Sequence, residues 1–518
     1  MEKKKAGLFN ASVRDGVAYR KASLPSLIMG MAFEGVGTVA YLMIGYATLI
    51  GTQGFGIATV TVGVILTICR VWDGINDPLC AIVFERINPK HGKIRIFMII
   101  GWAICSFGLL LLYVIAAGRV DGVMGIVMFT LGYLLYDAGY TIRAVGAGTT
   151  AVVITNDPTQ RPMTTAIGAV YSYGVPLILT NLVTLAILPK YDNQYNLPMM
   201  AETCLWFVAF SAVLLVIAVI GVWKVDKPET FEVLKLSEAG KKREEKQKVK
   251  LREMFAVLKD NRAMQMHIIT GVSDKLAQQT GSQQIINTLI NGVLIGSYVA
   301  SQMVNNVSLG VGIVFLFFGG FFIAKWGAKK TTVIWSWLSI AVAVVTILFC
   351  LFLGGPEGMK KIGVMGVPVI IYTVLTLLKS SASMVLTATN GARAADVTDY
   401  EYMRSGNYLP AVVSATYSFI DKAVSSFGAL VATGCVALVG YVNTVPQMGD
   451  EATWPIFWMA MFLMFGLPII GWILNVISMK FYVLDKEKMV EVQKTLEERR
   501  KKVEAMEAEA AKETSGEA

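Results

Sequence analysis

The chain has 518 residues, 55% of them hydrophobic and only 16% charged, with a formal net charge of +9. Soluble domains carry about a quarter charged residues, so this composition argues against a soluble domain and points to a membrane protein. The basic excess lies between the apolar segments, where membrane topology explains it better than nucleic-acid binding does.

Residues Met1 to Lys21 are polar and basic, without an apolar core and a small-residue cleavage site. No removable signal peptide is expected, and the first span directs insertion. Apolar stretches of spanning length, about 20 residues each, follow at 25–50, 55–84, 94–117, 122–152, 163–189 and 203–224. Six more follow at 264–299, 303–325, 332–354, 362–390, 408–442 and 453–480. Together they predict an all-α integral membrane protein of twelve transmembrane helices. The expected division is a six-helix bundle at 1–224, a middle loop at 225–261, a second six-helix bundle at 262–480 and a charged tail at 481–518. Alternate connections are rich in Lys and Arg, and Lys360-Lys361 is a mild exception. The positive-inside rule then places both termini and the middle loop in the cytoplasm. The loop, with Lys241-Lys242-Arg243, reads as a solvated topological anchor, and the tail as an exposed mixed-charge helix fraying to disorder. The turns after spans two and eight, Gly92-Lys93-Ile94-Arg95 and Trp326-Gly327-Ala328-Lys329-Lys330, echo each other as duplicated bundles do.

Cys69, Cys80, Cys105, Cys204, Cys350 and Cys435 are scattered without metal-ligand spacing and read as small apolar packing residues. The isolated His91 and His267 do not point to a metal centre. The chain also lacks a recognisable nucleophile–base pair or phosphate loop, so no enzyme is expected.

Charged groups inside the assigned spans are Glu34, Asp73, Asp77, Asp137, Asp274 and Asp421 against Arg70, Arg143, Lys275, Lys379 and Lys422. At membrane depth such groups pair or face a watery cavity. Asp73 and Asp77 are four residues apart and share one helix face. With Asn76 they supply hard oxygen ligands for a small cation such as Na⁺, or for a proton. Two close acids repel, so one takes up a proton, or a metal cation relieves the repulsion. Arg70, three residues earlier, can neutralise one of them. A purely structural Arg–Asp–Asp cluster leaves the second acid surplus. On span four, the hydroxyl of Thr141 either completes a cation site or bonds back to its own helix.

Span seven is wet, with Gln278, Gln279, Gln283, Gln284, Asn287 and Asn291. Positions 280, 283, 284, 287 and 291 form one helical stripe. Amides suit hydroxyl-rich solutes, and so many exceed what interhelical bonding requires. Lys422, with Ser418 one turn earlier, can donate to a sugar hydroxyl, pair with the Asp couple or balance an anion.

These motifs resemble the glycoside–pentoside–hexuronide:cation symporters of the major facilitator superfamily. The residues that carry the resemblance are Arg70-Val71-Trp72-Asp73-Gly74-Ile75-Asn76-Asp77-Pro78, Tyr140-Thr141-Ile142, Ile154-Thr155-Asn156-Asp157-Pro158 and Ala395-Asp396-Val397-Thr398-Asp399-Tyr400. Lys422 and Tyr482-Val483-Leu484-Asp485 match as well, so the resemblance covers almost the whole chain. It implies that Asp73, Asn76, Asp77 and Thr141 hold Na⁺, Li⁺ or H⁺, with Lys422 near both cation and sugar. Glu34 lies close to the sugar-binding acid of span one, and Tyr140 and Arg143 flank the span-four part of that site. Sugar-binding members carry an Asp and a Trp where this chain has Ala144 and Gly148, and an arginine near Ala169. Arg143 either marks an anionic substrate such as a hexuronide or pairs with Asp137.

The implied protein is a symporter of the cell (inner) membrane that moves a sugar, glycoside or hexuronide with a monovalent cation. A lysolipid-like or other anionic solute, and a sensor that binds without transporting, are the alternatives.

Overall fold

The structure, a computed structural model, describes residues 10–14, 17–87, 89–90, 92–155, 160–228, 257–406 and 410–498. His91, Asn156-Asp157-Pro158, most of the middle loop and the end of the tail lie outside the described residues.

A spanning segment must satisfy its backbone N–H and C=O groups internally, so apolar runs become helices. Ten helical stretches among the described residues are long and apolar enough to cross a membrane. The two expected spans that miss this standard are the second, Thr59–Arg86, and the seventh, which begins at Arg262–Gly281. They carry the Asp73–Asp77 pair and the amide run. One small departure from an all-helical chain precedes span one (Leu24–Ile44): an antiparallel hairpin of Asn10–Arg14 and Val17–Lys21. Its signal is Asp15-Gly16 between Val- and Tyr-containing segments, a hairpin-forming dipeptide.

The predicted amide stripe of span seven is not continuous. Helix Arg262–Gly281 stops, Gln283 is extended (φ −70°, ψ 129°), and the chain resumes as Gln284–Asn287 and a π-helical Thr288–Leu294. Span eleven breaks likewise between Pro410–Ser425 and Gly428–Leu438. Spans eight and nine form one run, Tyr298–Phe352, turned at Gly327, whose φ of 81° only glycine adopts readily.

Two compact units result: Met1–Glu245 with 279–303 and 426–460, and Lys246–Gln278 with 304–425 and 461–518. Their boundaries fall beside the breaks in spans seven and eleven. Within the first unit, span three (Lys93–Leu110) meets span four (Gly122–Ile154) along a glycine seam. A Cβ on Gly101 would overlap the Arg143 backbone nitrogen, one on Gly108 that of Tyr136, and one on Gly139 that of Cys105. Small residues let membrane helices approach backbone to backbone. After span six (Leu197–Val222), the buried Asp226 caps span three. Its carboxylate accepts from the backbone of Lys93 (2.9 Å), Ile94 (3.1 Å) and Arg95 (2.8 Å), and from Arg95 Nε at 3.1 Å. A carboxylate at a helix N-terminus meets both the orphan N–H groups and the positive end of the dipole.

In the second unit, the chain after span twelve packs its Tyr482 and Leu484 into a core with Met264, Ile268, Val397, Val413 and Met479. Lys486 Nζ donates to the Lys325 carbonyl at 3.1 Å, beside the Gly327 turn.

The seam gives the first prediction. Gly139→Ala should destabilise the purified protein by about 1–3 kcal/mol, read as a fall in melting temperature. Gly148→Ala, on the same helix with nothing within 4 Å of a new Cβ, should leave the melting temperature unchanged.

Candidate functional site

The glycine seam sets the position of span four, and with it Thr141, two residues beyond Gly139. Thr141 is 1% exposed. Its Oγ1 lies 2.9 Å from Asp73 Oδ1 and 3.2 Å from Asp77 Oδ1 on span two. A hydroxyl has a single proton, so Thr141 donates to one carboxylate at a time. Asn76, in the same turn, accepts weakly from Cys80 Sγ (3.5 Å) through Oδ1, and its Nδ2 has no partner among the described residues. The donor set is carboxylate, hydroxyl and amide oxygen, which suits a hard cation. All four residues that sequence reasoning placed at the cation site therefore stand on adjoining turns of spans two and four.

Arg70 faces a tyrosine cluster. Its guanidinium stands 5.9 Å from the Tyr41 ring centroid and beside Tyr133. Tyr133, Tyr136 and Tyr140 form a ladder along span four, with centroids 5.7 and 5.8 Å apart. Their 133, 136, 140 spacing is a helical stripe that the sequence reading passed over, apart from Tyr140. Asp137, between them, is buried.

Arg143 is 4% exposed and committed to span one. Nη1 donates to the Phe33 carbonyl at 3.1 Å, and the guanidinium lies 4.8 Å from the Tyr140 centroid. Gly37 makes room for it, since a Cβ there would overlap the guanidinium. Glu34, half-buried one turn away, packs its side chain near Gly168 of span five.

The span-seven amides are engaged within the protein. Gln279 Oε1 accepts from Tyr41 Oη (3.0 Å), and Gln283 Nε2 donates to the Gln279 carbonyl (3.3 Å). Gln284 Nε2 donates to Tyr195 Oη (3.0 Å), and Asn291 Nδ2 to Asn287 Oδ1. In the second unit, Ser418 is exposed and Lys422 half-buried on Pro410–Ser425, next to Asp421, which also feels the charge of Lys275.

The fold is that of a major facilitator transporter, and comparison with solved structures bears this out. The nucleoside transporter NupG superposes with a TM-score of 0.57 at 12% identity, covering 89% of this chain and 100% of that one. A bacterial homologue of the human drug peptide transporters PepT1 and PepT2 superposes at 0.54 and 13% identity, covering 89% and 98%. The profile of the family described as MFS/sugar transport protein matches residues 28–486, and the chain belongs to that family. Among its relatives, the uncharacterized symporter YjmB of Bacillus subtilis (strain 168) is 20% identical over 76% of this chain and 79% of its own. The lactose permease of Lactobacillus helveticus is 23% identical over 82% of this chain and 62% of its own. The inner membrane symporter YicJ of Escherichia coli (strain K12) is 29% identical over 29% of this chain and 30% of its own.

The fit of Arg143 beside Gly37 is testable by a double-variant cycle. Gly37→Ala should lower the melting temperature, and adding Arg143→Met should recover part of the loss. Strictly additive losses would show that the two positions are not in contact.

Proposed function

We propose that the protein is a cation-coupled symporter of a sugar, glycoside or hexuronide that works by alternating access in the cell (inner) membrane, with both termini cytoplasmic. One observation carries the reading: the Thr141 hydroxyl lies within hydrogen-bond distance of both the Asp73 and the Asp77 carboxylates. Asp73, Asp77 and Thr141, with the amide oxygen of Asn76, hold Na⁺, Li⁺ or H⁺. The incoming charge lowers the repulsion between the acids, and the state it stabilises is the one that binds solute well. By linkage the solute then raises affinity for the cation to the same degree. The names of the relatives, among them symporters and a lactose permease, support both parts of this reading.

For the solute we assign Glu34 and Tyr140 within the first unit, while Ser418 and Lys422 in the second unit are candidates on the family resemblance alone. Gln283 and Asn287 hold the broken part of span seven in shape, and their internal hydrogen bonds give them that role before any role toward solute. Arg143 is enclosed by Phe33, Gly37 and Tyr140, which favours a solute recognised without a guanidinium. Ala144 and Gly148 stand where sugar-binding relatives have an acid and a tryptophan. An amphipathic solute of the lysolipid kind is therefore the second reading.

Asp73→Cys or Asp77→Cys should abolish accumulation of solute down a Na⁺ or H⁺ gradient in proteoliposomes, by about 100-fold or more, while solute exchange persists. Gradient-driven accumulation at the wild-type level in either variant would refute the cation assignment.

A further inference from the structure

The second unit holds a cluster of ionisable groups, with Asp274 half-buried and Arg393 and His267 buried, that the proposed cation site does not use. Asp274 on span seven is enclosed by span twelve. Both of its carboxylate oxygens accept from Asn475 Nδ2 at 3.0 Å, and Asn475 is fully buried. The other side of that amide accepts from Ser273 Oγ at 3.4 Å, which sets its orientation toward the acid. Arg393 on span ten is 1% exposed. Its Nη1 donates to Thr332 Oγ1 (2.5 Å) and Thr389 Oγ1 (3.0 Å), its Nη2 donates to Asn390 Oδ1 (3.3 Å), and its Nε has no partner. Asn390 Nδ2 donates in turn to Tyr417 Oη at 3.0 Å. His267 stacks on Tyr417, with ring centroids 4.7 Å apart, and neither ring nitrogen has a partner among the described residues. Gly271 leaves the space that the Tyr417 hydroxyl fills.

Among the described residues, every hydrogen bond of Arg393 goes to a neutral group, and Asp274 accepts from a neutral amide. The two charges feel each other, yet they form no ion pair among the described residues. A permanently charged acid at this depth would be expected in contact with its base. An acid held by one amide, with a base near enough to act on it but not bonded to it, suits a group that alternates between carboxylate and carboxylic acid. Arg393 on span ten and Tyr417 on span eleven interact with Asp274 directly; Arg393 in turn feels Asp396 and Tyr482 and acts on His267, Tyr417 feels Asp421, and Asp421 feels Lys275.

We propose that Asp274, oriented by Asn475, is a proton-binding site in the second half of the chain, separate from the span-two cation site, and that Tyr417, Asn390 and Arg393 transmit its state to spans ten and eleven. One proton from solvent adds to a carboxylate oxygen, and no other bond changes. The pH response of the protein is thereby set apart from the identity of its coupling cation.

The test uses the purified full-length protein, its melting temperature followed from pH 5 to 9 at fixed NaCl. Wild type should show a one-proton transition. Asp274→Asn should remove it, whereas Asp73→Asn with Asp77→Asn should keep it, so failure here is distinguishable from failure of the cation site. Should Asp274→Asn not fold, Asn475→Ser keeps the acid and removes its donor, and should move the transition by about tenfold in proton concentration. A wild-type profile in Asp274→Asn, an unmoved transition in Asn475→Ser, or a transition lost in the span-two variant would overturn the proposal.

Discussion

The structure turns on a small cluster of oxygens from spans two and four. The Thr141 hydroxyl lies 2.9 Å from an Asp73 oxygen and 3.2 Å from an Asp77 oxygen, so three polar oxygens of spans two and four stand together. In water such a cluster would spread apart, but here it is held by spans whose backbones are locked together. The Gly101, Gly108 and Gly139 seam presses span four against span three at backbone contact, and Asp226 secures the start of span three. A long chain of packing thus ends in a short oxygen cluster that a small positive ion relieves.

The broken helices follow from the same economy of hydrogen bonds. Interrupting a span at membrane depth exposes backbone groups that must find partners. Those of spans seven and eleven find them in the first unit. Gln284 N donates to the Gly45 carbonyl at 3.2 Å, and the Ser426 carbonyl accepts from Thr67 Oγ1 at 3.1 Å. Gly63, one turn before Thr67, lets the outer part of span eleven lie against span two, since a Cβ there would overlap Thr433. Span two therefore serves two purposes: its Thr67 turn supports a broken helix, and its Asp73–Asp77 turn builds the oxygen cluster.

Much of this is legible in sequence, where the signal is local. Four-residue spacing predicts that Asp73 and Asp77 share a face, and the pattern around Tyr140-Thr141 brings in the hydroxyl. The span count and the Gly327 turn follow from hydropathy and one glycine. What escapes is non-local. Asp226 reads as one more loop acid, because nothing near it in sequence announces the helix start that it caps. Gln283 reads as part of a continuous amide stripe, because periodicity cannot register a break that Gln284 stabilises through bonds to Gly45 and Tyr195. Arg143 admits two roles until the cleft at Gly37 shows where its guanidinium goes. Asp274 is visible as an acid inside a span, but Asn475 lies two hundred residues away.

The most direct test is calorimetric titration of the purified protein with Na⁺ and Li⁺ at several pH values, with proton release counted by a pH indicator. The account predicts saturable cation binding, or proton release in its place, that Thr141→Val weakens and Thr141→Ser largely keeps. Wild-type protein that binds neither ion and exchanges no proton at this pair would contradict it.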